Sequence, residues 1–292
     1  MVPAPPKISV GAFTVALLSD GAWRNDGGCM FGVVPRELWK REHRPDRKNR
    51  ILLGLTCPLI IRSRDAILID SGIGNRLDAS ERKIFDRGGG WLIDQLRALG
   101  MEPGDVTHLV VSHLHFDHAG GLSRRRRSDA LEPAFPHARV IVQQRELEAA
   151  GDPRNERLRA AYRHVEAVIA PVRANVEAID GDAEIVPGVR AIATGGHTHG
   201  HQAAIVADDG ESFIHLADLV PTRSHLRPAW NQAYDLDAIR TMEQKAHYLD
   251  LAARGRWWVS FAHDETILAA RVVSDARGRF TIAESIPPRA RG

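Results

Sequence analysis

The sequence predicts an α/β protein built around a mixed sheet, on three observations. Apolar runs of strand length alternate with segments of helical spacing. Several runs end on an Asp or a His. In the second half, strands follow one another across a glycine turn, as hairpins do. Alternation with helices argues for parallel pairing, and hairpins argue for antiparallel pairing.

Taken along the chain, residues 1–6 read as a Pro-rich tail and 287–292 as a basic one, both loose. Ile8 to Leu18 and Leu59 to Asp70 read as strands. The second contains "AILIDSGIG", an apolar run that ends on Asp70 and then glycines. That is how a buried strand delivers an acidic side chain to a site at its end. Trp91 to Leu99 reads as a helix with Leu92, Ile93, Leu96 and Leu99 on one face and Gly100 as its stop. "VTHLVVSHLHFDHAGG" is a strand feeding a loop, and Arg139 to Gln143 is a further short strand. From Glu156 to Ala170, Leu158, Ala161, Tyr162, Val165, Val168 and Ile169 keep helical spacing, and Pro171 ends the run. Lying between the His-rich stretch His113 to His118 and His197, this helix is expected to cap a pocket rather than to support a site. "VRAIATGGHTHGHQAAIVAD" is strand, glycine turn, strand; "SFIHLADLVP" is a strand reaching Asp218; Leu236 to Ala253 is a helix; "WWVSFAHDE" is a strand reaching His263.

Bulk properties set the bounds. The 292 residues are 43% apolar, enough for a sizeable core, and we expect one domain over 1–292 with its core at about 8–286. A formal charge of +2 gives no reason to expect a nucleic-acid partner, and the run Arg124 to Arg127 reads as a solvated loop. Cys29 and Cys57 are the only cysteines and lack any CxxC, so they read as small apolar residues in a reduced, cytoplasmic protein. Lys7 followed by Ile8 to Leu18 faintly resembles a signal peptide. Its positive region is thin and no small-x-small site follows, so secretion is not expected. No apolar run approaches the roughly 20 residues of a membrane span, so no membrane partner is expected either.

The chemistry concentrates in His113-Leu114-His115-Phe116-Asp117-His118. In a tight loop after a strand, alternate residues point to opposite sides. His113 and His115 can therefore converge on one metal ion while Asp117 and His118 reach a second. Imidazole and carboxylate without thiolate suit zinc, with manganese, iron or cobalt also compatible. Three more candidates stand at strand ends, where α/β sheets place their chemistry: His197 on the turn "TGGH", Asp218 after "FIHLA" and His263 after "VSFA".

These residues are identified as the pattern of the metallo-β-lactamase superfamily: HxHxDH, then His, Asp and His further on. "DGGCMFGVVP", "LIDSGIGN", "SHLHFDHAGG", "GGHTHGHQ", "LADLVPTRSH" and "AYDLD" resemble in particular the N-acyl-homoserine lactonases of the bacillus type, over about residues 8–285. The resemblance implies a four-layered αββα sandwich holding two divalent ions. His113, His115 and His197 would bind the first, Asp117, His118 and His263 the second, and Asp218 would bridge them. It implies support of the metal loop by Asp70, orientation of a ligand by His201, and a solvent-facing or pocket-rim place for His199. His43, His108, His137, His164, His215 and His247 carry no signal.

The expected function is a dinuclear-metal hydrolase opening N-acyl-homoserine lactones or related lactones. A water between two divalent ions has a pKa near about 7, so hydroxide is at hand at neutral pH. Asp117, Asp218 and His225 are the expected catalytic residues. The enzyme alternatives are a promiscuous esterase or phosphotriesterase, or a thioesterase of the glyoxalase II type; the non-enzyme alternative is a metal-binding interaction or sensor protein. The partner is a small lactone or ester, and a homodimer stays open. One departure stands out. Many such lactonases carry a tyrosine shortly after the bridging Asp, aimed at the substrate carbonyl. Here Leu219, Val220 and Pro221 follow Asp218, leaving His225 or Tyr234 as substitutes. Trp23 and Trp230 fit either an acyl pocket or the core.

Overall fold

The computed structural model describes residues 3–126, 130–152 and 159–288. Its frame is two stacked sheets, one from each half of the chain. The first has eight strands. Lys7–Val10, Phe13–Asp26, Arg50–Arg62, Asp65–Ile69, His108–Val110, Arg139–Gln143 and Val176–Ile179 lie side by side in that order, and Gly88–Gly89 pairs with Phe13–Asp26. The second has seven strands in order: Ala183–Val186, Val189–Ala193, Gln202–Asp208, Glu211–His215, Trp258–Ser260, Ala269–Ser274 and Phe280–Ile286. Pairing is parallel from Asp65–Ile69 through Val176–Ile179 and between Glu211–His215 and Trp258–Ser260, and antiparallel elsewhere. The sheets are mixed, as expected.

Strand periodicity explains the layers. Successive side chains alternate faces. Val15 and Leu17 therefore pack between the sheets with Ile67, Ile69, Val206 and Phe213. Their neighbours Ala16 and Leu18 face outward onto Leu92, Leu96, Val165 and Val168. On the far side, Ile214 and Val259 pack against Leu249 and Ala252 of the helix Ala238–Gly255. Helix, sheet, sheet, helix is the four-layered αββα sandwich. With both faces of the inner strands buried, their sequences read as nearly unbroken apolar runs.

That double burial hid two turns. Ile8 to Leu18 is a hairpin, Lys7–Val10 against Phe13–Asp26, turning at Gly11 with φ +52°. Leu59 to Asp70 is likewise Arg50–Arg62 against Asp65–Ile69, with Ser63 left-handed at the turn. The predicted helices at Trp91 to Leu99 and Leu236 to Ala253 are present as Leu92–Ala98 and Ala238–Gly255. The predicted helix from Glu156 to Ala170 is not continuous. Residues 156–158 lie outside the described residues. His164 is left-handed, only Val165–Ile169 is α-helical among the described residues of that range, and a 3-10 segment, Ala170–Asn175, runs on through Pro171. Of the Arg124 to Arg127 run, Arg124 and Arg126 pair with Glu132 across an exposed hairpin, and Arg127 lies outside the described residues. No helix among the described residues is long and apolar enough to cross a membrane.

Candidate metal centre

Five strand ends converge at one edge of the sandwich. Asp65–Ile69 delivers Asp70, His108–Val110 delivers the loop His113 to His118, Val189–Ala193 delivers His197, Glu211–His215 delivers Asp218 and Trp258–Ser260 delivers His263. Two of these exits are strained. Asp70 has φ +57°, and Ala217, immediately before Asp218, has φ +44°. A left-handed Ala is uncommon, and such strain persists only where the surroundings over-determine the backbone. Here the strain turns the Asp218 carboxylate into the centre of the cluster.

Asp70 builds the first loop. Its carboxylate accepts from the Ser112 backbone N–H and Ser112 Oγ, both at 2.7 Å, and meets His118 Nδ1 at 2.8 Å. Burial alone would raise its pKa. Contact with His118 and His215 wins and holds the carboxyl well below the usual range. Fixing Nδ1 of His118 presents its Nε2 to the centre, the usual way a carboxylate orients an imidazole ligand.

The seven predicted ligand residues do come together. His113, His115 and His197 form one group of ligand atoms within 4.8 Å of one another, and Asp117, His118 and His263 form another. Asp218 stands between them. Its Oδ1 is 3.3 Å from His118 Nε2 and 3.1 Å from His263 Nε2; its Oδ2 is 3.2 Å from His197 Nε2. His118 Nε2 and His263 Nε2 are 3.2 Å apart, His263 Nε2 and Asp117 Oδ2 3.4 Å, and His197 Nε2 and His115 Nδ1 3.2 Å. A tetrahedron on metal bonds of about 2.0–2.1 Å has edges of roughly 3.3 Å, so these separations are those of ligand atoms around an ion. His113 Nε2 and Asp218 Oδ1 are buried without a hydrogen-bond partner among the described residues. The donor set and its orphaned atoms fit two divalent ions.

The electrostatics agree. Burial, reinforced by neighbouring imidazoles, holds His113 and His115 well below the normal histidine value, in the neutral form a metal needs. Burial pulls His118, His197 and His263 the same way, but the charge of Asp218 outweighs it and raises all three. Asp218 itself is driven well below the carboxylate range: burial opposes this, and His263, His118 and His197 overcome it.

The His197 turn has its own supports. Gly196, at φ +90°, lies so close to the helix Ala238–Gly255 that a Cβ there would meet Thr241 Oγ1 at 2.7 Å. Asp235 Oδ1 holds His197 Nδ1 at 2.7 Å, and Gln232 Nε2 donates to Asp218 Oδ2 at 3.1 Å. His201 braces the turn through Thr194 Oγ1 at 2.7 Å, and burial among imidazoles brings it down to about 3. His199 points out and is exposed. Sequence reading missed Asp235, Gln232, Ser112 and Glu146, because none belongs to the ligand pattern. It also took His215 for ordinary, whereas its Nε2 lies 3.7 Å from Asp70 and its Nδ1 bonds Ser260 Oγ at 2.7 Å. "YDLD" just before a helix was the available signal for Asp235.

A pocket opens over Asp117, Asp218, His115 and His263. Its wall is Trp23, Phe85 and Phe116, three rings in edge or tilted contact with centroids 5.1–5.5 Å apart. Tyr234 lines the same pocket, and Asn25 Nδ2 donates to its Oη at 3.2 Å. His225, expected to reach substrate, does not line it. It is fully buried, its Nε2 bonds the Met30 carbonyl and its Nδ1 bonds Thr222 Oγ1, both at 2.8 Å, and its ring stacks on Phe31. With both nitrogens engaged in the core it has no donor to offer. Trp23 is thus a pocket residue, whereas Trp230 packs edge-on to Phe31. Of the segment expected to cap the pocket, Ala160, Ala161 and Arg163 line it, whereas Tyr162 points inward: its hydroxyl donates to Glu146 and its ring packs on His115.

Comparison with known proteins decides the family. Residues 56–263 match the Metallo-beta-lactamase superfamily. The chain belongs to the metallo-β-lactamase superfamily. Within it, the N-acyl homoserine lactonase of Bacillus thuringiensis is 37% identical over 125 residues, 43% of this chain and 42% of that enzyme. The N-acyl homoserine lactonase AttM of Agrobacterium fabrum is 44% identical over 61 residues, 21% and 19% of the two chains. The match therefore spans about two-fifths of the Bacillus relative. Among solved structures, a probable metal-dependent hydrolase from Staphylococcus aureus superposes with a TM-score of 0.87 at 26% identity, over 98% of this chain and 100% of that one. AidC, a dizinc quorum-quenching lactonase in complex with a product homoserine, superposes at 0.78 with 19% identity over 99% of each chain, a likeness of fold.

Proposed function

We propose that this protein is a dinuclear metal-dependent lactonase that opens N-acyl-homoserine lactones, or lactones close to them, to the free hydroxy-acids. The observation that carries the reading is the Asp218 carboxylate, one oxygen toward His118 and His263 and the other toward His197, beneath an aromatic pocket. In this reading His113, His115 and His197 would hold one divalent ion, Asp117, His118 and His263 would hold the other, and Asp218 would serve both; zinc suits the nitrogen and oxygen set. Such a pair, when bound, supplies a water that ionises near neutral pH and polarises an ester carbonyl. The lactonase names of the Bacillus and Agrobacterium relatives support the substrate class.

The chain's own residues do the rest. Trp23, Phe85 and Phe116 receive the acyl chain on an apolar surface. Burial raises the Tyr234 phenol far above its ordinary value, so it stays protonated and donates to the lactone carbonyl, the role a tyrosine after the bridging Asp fills elsewhere. Asp117, on the pocket floor, takes a proton from the attacking water and returns it to the ring oxygen as the acyl C–O bond breaks. The water oxygen ends in the carboxyl group and the ring oxygen becomes the new hydroxyl. Cys29 and Cys57, both unbridged thiols, support a cytoplasmic setting.

The test is pH-stat titration of acid release from lactones of several chain lengths, beside aryl esters, thioesters and phosphotriesters, with defined metals. Lactone opening that requires metal is the expected result. Turnover of phosphotriesters or thioesters with no lactone opened would overturn the substrate assignment and leave the metal centre standing.

A further inference from the structure

We propose that Glu146 is a positioning residue that clamps together the two loops holding His113, His115 and His197, and so sets the affinity of that ion site selectively. The proposal rests on the metal-centre reading above. Glu146 lies in the first turn of the helix Gln144–Gly151, directly after the strand Arg139–Gln143, and is fully buried. Its Oε1 accepts from the Leu114 backbone N–H at 2.9 Å and the Tyr162 hydroxyl at 2.9 Å. Its Oε2 accepts from Thr198 Oγ1 at 2.6 Å and the Gly200 backbone N–H at 3.3 Å.

The placement of those donors gives the inference. Leu114 sits between His113 and His115, and Thr198 directly follows His197. Tyr162 lays its ring edge-on to His115, with centroids 4.9 Å apart. One carboxylate thus reaches the region of all three histidines of one site through their neighbours in the chain or in space. None of its four donors adjoins His118 or His263, whose supports are instead Asp70 Oδ2 on His118 Nδ1 and the Gly54 carbonyl on His263 Nδ1, at 2.8 and 3.0 Å. A carboxylate has lone pairs for about four donors, and four are placed on it here. The approach is also built in sterically. A Cβ on Gly200 would run into the backbone N and Cβ of Glu146, so glycine is what lets the helix reach the turn.

The experiment is zinc competition against a chromophoric chelator, which resolves the two bound ions, on the whole protein and on Glu146→Ala, Thr198→Val and Tyr162→Phe. Partners that orient metal ligands are worth about 10- to 100-fold in affinity. Glu146→Ala should weaken one zinc by about that factor and leave the other within about threefold. Thr198→Val and Tyr162→Phe should each weaken the same zinc by less. The site is assigned by background: Glu146→Ala should still weaken the remaining ion in His263→Ala and have no further effect in His113→Ala. Equal weakening of both ions, or of neither, overturns the clamp. If Glu146→Ala does not fold, the two hydroxyl deletions decide, since each leaves the carboxylate in place; no selective loss in either overturns it. A wild type that binds fewer than two zinc ions overturns the metal-centre reading and the clamp with it.

Discussion

The two halves of the centre are built in opposite ways. The first half supplies four candidate ligands from one six-residue loop, His113 to His118, and two buried carboxylates suffice to shape it: Asp70 on one side and Glu146 on the other. The second half supplies His197, Asp218 and His263 from three separate loops, and a fourth segment aligns two of them. That segment runs from Trp230 to Asp237. Gln232 reaches Asp218, Asp235 reaches His197, the Leu236 and Asp237 N–H groups donate to the His197 and Gly196 carbonyls, and Lys245 holds its start through Trp230 O and Asn231 Oδ1 at 2.7 and 2.8 Å. Ligands close in sequence need little help to converge. Ligands far apart need a scaffold, and that scaffold carries no ligand motif.

The largest effect should come from the residue where the halves meet. Asp218→Ala leaves five imidazoles without their shared anion and should lower kcat by more than about 100-fold, above the range for residues that only orient ligands. His199→Ala, at an exposed residue that does not line the pocket, should stay within about twofold, and comparable losses in the two would break the ligand assignment. Next, Tyr234→Phe should lower kcat by roughly 100-fold with little change in KM, as for loss of a donor felt in the transition state. His225→Ala should instead leave kcat intact in folded protein and cost about 1–3 kcal/mol of stability, because it deletes buried hydrogen bonds. Urea unfolding beside steady-state kinetics separates the two, and the reverse pattern would return the donor role to His225. Asp235→Asn, which sharpens the comparison from the scaffold's side, should weaken zinc binding by about 10- to 100-fold; unchanged binding in a chelator titration would mean the turn holds His197 unaided.

A separate effect is a pH dependence of stability. Burial brings Lys245 from its ordinary value down to about 7. Below that both folded and unfolded chains carry the charge, and the cost of burying it is fully present. Between about 7 and the unfolded value near 10.5 the unfolded chain binds more protons, so stability rises with pH. Lys245→Met removes that slope. Urea midpoints at pH 7 and 9.5 should therefore rise more in wild type than in the variant, and parallel profiles would show that the lysine titrates normally.

How much was legible follows the same division. The HxHxDH run, the strand ends at Asp70, Asp218 and His263 and the glycine turn before His197 were readable because each pairs a local backbone signal with a ligand-competent side chain. The hairpin turns at Gly11 and Ser63 were not, because strands buried on both faces lose the alternation that marks their ends. The break at His164 was not, because helical spacing of Ala161, Tyr162, Val165 and Val168 is satisfied equally by a turn followed by a short helix.

By itself the sequence determined the fold class and which side chains could meet a metal, since periodicity and ligand chemistry are properties of short stretches. Only the tertiary structure decided what those side chains do with their remaining atoms. It turned His225 into the core and Tyr234 into the pocket, set Tyr162 and Glu146 behind His115, and brought Asp235 and Gln232 to the ligands. The physical reason is that a hydrogen bond is fixed within a few tenths of an ångström and 120° or better of direction, and partners that far apart along the chain acquire such geometry only when the sheets and the helix Ala238–Gly255 have packed.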